Sequence, residues 1–151
     1  MDHSVSAAER ATLALAEAMP GNRYSFVPAR GEFHGVRTFA QLAKHIAVAN
    51  YLNGAALLGE KLAIEVGKEE NGPHSVSSKA DVIKFLGDSF LYLHKAMATV
   101  NDRNLMEIVA LPEGGQAPRL SVVAAGISHP WDIYGQMIEY LRMNGIDPQR
   151  I

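Results

Sequence analysis

Thr38-Phe39-Ala40-Gln41-Leu42-Ala43-Lys44-His45-Ile46-Ala47-Val48-Ala49-Asn50-Tyr51 decides the fold. Thr38 and Gln41 stand at capping-box spacing, in which hydroxyl and side-chain amide satisfy orphan backbone groups at a helix start. Phe39, Leu42, Ile46, Ala49 and Asn50 then recur every three or four residues, the period of a helix with one apolar face. The stretch predicts a second helix over Phe39 to Leu58, preceded by a first.

Working outward, Ser6-x-x-Glu9 repeats the capping spacing and Pro20-Gly21 supplies a stop, so helix one is expected over Ala7 to Met19. Asn22 to Arg37, with Pro28, Gly31 and Gly35, reads as a long loop. Lys61 to Ser77 carries Gly67, Gly72 and Pro73 and reads as a connection between antiparallel helices. Ser78 and Asp81 open helix three, expected over Lys79 to Val100, with Val82, Phe85, Leu86, Leu93, Ala96 and Met97 as its apolar stripe. Asn101 to Pro118 is a connection with an expected helical turn at Leu105 to Val109.

Helix four is expected over Arg119 to Asn144, stopped by Asn144-Gly145 and Pro148. Pro130 lies inside it, removes the bond to Gly126 and predicts a kink. Ser121, Ser128, Asp132, Gly135, Glu139 and Arg142 share a narrow polar face. The remaining arc is wider than one bundle contact requires, which predicts a homodimer through helix four. Four long helices without strand alternation or a dividing linker make residues 1–151 one all-α domain, an antiparallel four-helix bundle.

Composition removes several functions. The chain has no cysteine, so disulfides, thiolate metal sites and cysteine nucleophiles are excluded. A net charge of -2 without a run of Lys and Arg argues against nucleic acid. No stretch approaches the ~18 apolar residues of a membrane span, and the N-terminus lacks a basic, then apolar, leader. A cytoplasmic protein is expected. No P-loop, dinucleotide glycine fingerprint, Gly-x-Ser-x-Gly elbow or His-Glu-x-x-His motif occurs.

Chemistry must therefore come from the histidines. His3, His34 and His74 fall at the terminus or in loops, and His94 lies at the edge of the helix-three stripe. His45 aligns with Leu42, Ala49, Leu52 and Ala56, and His129 with Val122, Ile133, Met137 and Tyr140, so both point toward apolar surroundings. A lone histidine so placed is more often a hydrogen-bonded core residue than a ligand. Two on facing helices change that balance, because bundle cores build metal sites from inward side chains.

Arg37 to Tyr51 resembles the second-helix signature of the DinB superfamily, and Tyr134 to Pro148 resembles its C-terminal signature more closely. The similarity spans essentially the whole chain. It implies a four-helix bundle, often a homodimer, as in the bacillithiol and mycothiol transferases and the maleylpyruvate isomerase group. It also implies three histidines on one divalent metal, commonly nickel or zinc: one on helix two and two on helix four spaced His-x-x-x-His. His45 matches the first ligand and His129 the second, but Ile133 occupies the third position and offers no lone pair.

Asp132, His94 or water are the expected replacements, with Asn50, Tyr134 and Gln136 as surrounding polar groups. Two functions follow. One is a metal-dependent thiol transferase or hydrolase with an altered ligand set and a small-molecule ligand. The other is a non-catalytic dimeric binding or structural protein that has lost the metal.

Overall fold

The computed structural model describes residues 2–29 and 34–148. Its long elements are α1 (Asp2–Ala18), α2 (Phe39–Leu58), α3 (Lys79–Met97) and α4 (Arg119–Met143). A two-stranded hairpin, β1 (Ile108–Ala110) and β2 (Gln116–Pro118), precedes α4. The all-α four-helix architecture expected from the sequence is the one observed.

Both later capping boxes are formed. Gln41 N–H donates to Thr38 Oγ1 while Thr38 N–H donates to the Gln41 side chain, and Ser78 and Asp81 repeat the exchange. The expected box at Ser6 is not used. Val5 is fully buried, so the preceding turn packs into the core and α1 begins at Asp2, while Glu9 turns instead to His94 on α3. α3 ends at Met97, three residues early, because Thr99 folds its N–H and hydroxyl back onto the Ala96 carbonyl. α4 runs through Pro130 as one helix.

The helical turn expected at Leu105 to Val109 is not formed: residues 102–106 form turns and Ile108–Ala110 is a strand paired antiparallel with Gln116–Pro118. Gly114 and Gly115 take the positive φ values, 103° and 85°, that close the hairpin. Of the expected loop from Asn22 to Arg37, residues 30–33 lie outside the described residues.

Residue contacts fix the helix directions. Arg119 at the start of α4 donates to the Leu57 carbonyl at the end of α2, and Tyr140 near the end of α4 donates to the Arg37 carbonyl before α2. These two helices are therefore antiparallel. Glu9 meets His94 and the Met19 carbonyl meets Lys79, so α1 and α3 are antiparallel as well.

Asn50, however, reaches Ser89, and Gly54 lies against Tyr92 and Ala96, so α2 and α3 run in the same direction. The segment from Lys61 to Ser77 thus does not join antiparallel neighbours. It carries the chain back along α2, about 30 Å for a helix of 20 residues.

The core fills the space between all four helices, with Phe39, Leu42, Ile46, Leu86, Phe90, Leu93, Met137 and Leu141 fully buried. Each such side chain contributes about 2 kcal/mol by removal from water. Among the described residues no helix is long and apolar enough to cross a membrane.

Because Thr38 caps a helix and Ser6 does not, Thr38→Ala is expected to destabilise by about 1 kcal/mol and Ser6→Ala to leave stability within about 0.5 kcal/mol. Urea midpoints of the two variants check this, and equal losses would contradict it.

Candidate functional site

The Arg37 to Tyr51 stretch places His45 on the face of α2 that meets α4, where it is 7% exposed. His129, half-buried, approaches from the middle of α4. Their rings stand edge to face, with centroids 4.9 Å apart and planes at 78°. The two histidines singled out in the sequence are therefore neighbours.

A third residue joins them, and sequence reasoning missed it. The returning segment carries a 3-10 turn, Lys68–Glu70, past the start of α2. The carbonyl oxygen of Glu70 lies 3.2 Å from His45 Nδ1, and its carboxylate Oε2 lies 3.4 Å from the same nitrogen. Glu69 and Glu70 both adopt left-handed backbone, with φ of 55° and 58°. Residues bearing a Cβ disfavour that region by about 1–2 kcal/mol each. Arg37 holds the turn in place, with Nη2 donating to the Glu69 carbonyl and Nε to Asn71 Oδ1.

Burial is the largest influence on both imidazoles. It pushes the pKa of His45 below the ordinary histidine value, with Arg37 adding in the same direction and the Glu70 carbonyl and carboxylate opposing. His129 is lowered by burial too, against the opposing charges of Asp132 and Glu70. Both rings are neutral at pH 7, the state in which imidazole binds a metal or accepts a proton. Nε2 of His129 is buried without a hydrogen-bond partner.

His129, but not His45, lines a cavity of about 300 Å³ together with Glu70, Leu52, Asn53, Leu111 and Glu113. A larger one, about 500 Å³, adjoins it at Leu111 and Pro112 but holds none of the histidines. We take the smaller as the site because it alone contains the perturbed ring.

The remaining expected residues are placed elsewhere. Ile133 is 3% exposed and belongs to the hydrophobic core. Asp132 and Gln136 are exposed on α4, and Tyr134 stacks edge-on against Trp131. Asn50 donates to Ser89 Oγ at the α2–α3 contact. His94 Nε2 lies 3.1 Å from Glu9 Oε2 across the α1–α3 contact. His3, His34 and His74 are exposed, as their positions suggest. Among the described residues no three His, Asp or Glu side chains surround a common point.

Glu70 carried no signal in the sequence. Its neighbours Asn71-Gly72-Pro73 mark a turn, but nothing in the spacing joins that turn to His45.

Depressed histidine pKa values set the pH dependence. The unfolded chain, with ordinary values near 6.5, binds more protons than the folded one. The neutral pair's contribution is complete above about pH 6.5 and is lost as the pH falls from there through the lowered folded values. The urea midpoint should accordingly drop below pH 6.5 more steeply in the wild type than in the His45→Gln/His129→Gln double variant. Parallel profiles would contradict it.

A family model for the DinB superfamily matches residues 5–137. Among solved structures, the fold is similar to that of a DinB-like protein from Bacillus cereus ATCC 10987, with a TM-score of 0.71 and 19% sequence identity. That match covers 95% of this chain and 89% of the other. At this identity the likeness bears on the fold alone. No curated protein matches the sequence.

Proposed function

This chain belongs to the DinB superfamily, and we propose that it binds a small molecule over an altered divalent-metal site built on His45 and His129, serving metal-dependent thiol transfer or hydrolysis. One observation carries the reading: Nε2 of His129 is buried and unpartnered beside a second neutral imidazole and an open cavity. Such an orphaned atom costs about 1–3 kcal/mol, which a ligand at that nitrogen recovers.

The donor chemistry fits zinc or nickel, for which neutral imidazole is a suitable ligand. It fits as a two-imidazole site, because Ile133 presents hydrocarbon at the position where the family resemblance implies a third histidine. Affinity is expected to fall below that of a three-histidine site by at least the ~10 to 100-fold that follows loss of a supporting residue. His45 and His129 would hold the ion, which would lower the pKa of a bound water or thiol and so supply a nucleophile near neutral pH. The chain's own contribution is to hold two neutral rings, to shield the cavity with Leu52 and Leu111, and to offer Asn53 and Glu113 to a polar ligand.

Burial of Ile133 favours a second reading, a metal-free binding or structural protein on the same scaffold. In both readings we propose a homodimer through α4. Leu120, Ala124, Ile127, Trp131 and Ile138 fall on one stripe of that helix, and Leu120, Ala124 and Trp131 are exposed.

Metal content by mass spectrometry, on tag-free protein purified without chelator, distinguishes the readings. We expect partial zinc or nickel in the wild type, background in His45→Ala, and near-stoichiometric metal in Ile133→His. Wild-type protein that stays metal-free while Ile133→His loads would favour the second reading. Light scattering on the same samples should give twice the chain mass, and a monomer at micromolar concentration would defeat the dimer.

A further inference from the structure

We propose that Glu70 is the positioning residue of the histidine pair: its carbonyl and carboxylate together hold the proton on His45 Nδ1 and leave Nε2 as the nitrogen that meets a ligand. The proposal rests on the reading of His45 and His129 as a ligand site, and deepens it.

The chemistry of the contact forces the assignment. Nδ1 of His45 faces two oxygens, the Glu70 carbonyl at 3.2 Å and Oε2 at 3.4 Å. Neither a carbonyl nor an ionised carboxylate donates a hydrogen bond. A bare Nδ1 would set three lone pairs against one another, so Nδ1 carries the proton. A neutral imidazole has one N–H, and its other nitrogen is then the acceptor. Histidines that bind metals commonly donate their second N–H to a carbonyl or carboxylate, which fixes both tautomer and ring orientation.

The backbone shows that this placement is built. Glu69 and Glu70 are consecutive left-handed residues, a conformation that persists only where the surroundings impose it. The surroundings here are specific. Gly72 N–H donates to the Val66 carbonyl at 2.8 Å and closes the neck of the loop, where the Gly72 carbonyl leaves no room for a Cβ on Gly67.

Arg37 grips the chain on both sides of Glu70, at the Glu69 carbonyl and at Asn71 Oδ1. Lys44 Nζ donates to the carbonyls of Pro73 and Val76 just beyond. A connection that only had to run back along α2 would need none of these restraints around two glutamates. Glu70 also lines the cavity that His129 lines, so one residue meets both His45 and the cavity. It supplies order to His45 in place of the third ligand that Ile133 lacks.

Long-range 1H–15N correlation spectra of the histidine rings, taken at pH 8 on metal-free protein, test the proposal in the wild type, Glu70→Gln and Glu70→Ala. We expect the His45 proton on Nδ1 in the wild type. Glu70→Gln, whose amide oxygen still accepts, should retain it; Glu70→Ala keeps the backbone carbonyl but loses the second acceptor, so only part of the population should move to Nε2–H, the form that a free histidine prefers. Co2+ affinity from optical titration should fall about 10 to 100-fold in Glu70→Ala and less in Glu70→Gln.

A wild-type His45 protonated on Nε2 would overturn the proposal. So would a Glu70→Ala variant with unchanged tautomer and a Co2+ affinity within about twofold of wild type. Failure of the wild type to bind Co2+ at all would refute the metal reading of the site, and the ring spectra would still decide the role of Glu70.

Discussion

α2 and α3 run in the same direction, and the path of the chain between them follows from that. Two helices that run the same way cannot be joined by a tight turn, so the chain must travel back along α2 before α3 begins. That return lays residues 66–73 against the first half of α2, where His45 emerges. The Asn50–Ser89 bond and the close approach of Gly54 to Tyr92 hold the two helices in this relation, and the antiparallel α4 then brings His129 in from the other side. The site is thus a product of topology: one helix face, one facing helix, and one obligatory return segment.

Within the site, desolvation outweighs charge. Glu70 and Asp132 act to raise the histidine pKa values, yet burial lowers both, because taking a charged ring out of water costs more than these partly exposed carboxylates return. Neutral rings follow, and neutral rings bring lone pairs. One ring nitrogen, His129 Nε2, has no hydrogen-bond partner within the chain. An unpaired buried nitrogen next to a cavity makes little sense for stability alone. It makes sense where a ligand arrives, which is why the pair carries the functional reading even though Ile133 interrupts the ligand pattern implied by the family.

Much of this was legible in the residues. The Thr38/Gln41 and Ser78/Asp81 boxes mark helix starts because their chemistry is local. The pairing of His45 with His129 was readable because each follows an apolar stripe. Ser6/Glu9 misled because the same spacing occurs inside a helix when a tertiary partner, here His94, claims the glutamate. The hairpin was hidden by strands of three residues, too short for an alternating pattern. Helix directions and Glu70 were illegible for one shared reason: both depend on contacts between residues far apart in sequence, and no local periodicity encodes them.

We propose that His45 and His129 act together on one ligand atom. X-ray absorption at the zinc edge, on zinc-loaded protein, measures this most directly. Two imidazole nitrogens per zinc, with oxygen completing the shell, are expected, together with loss of the imidazole signature in the His45→Ala/His129→Ala double variant. A zinc shell without imidazole scattering, or one unchanged in the double variant, would contradict it.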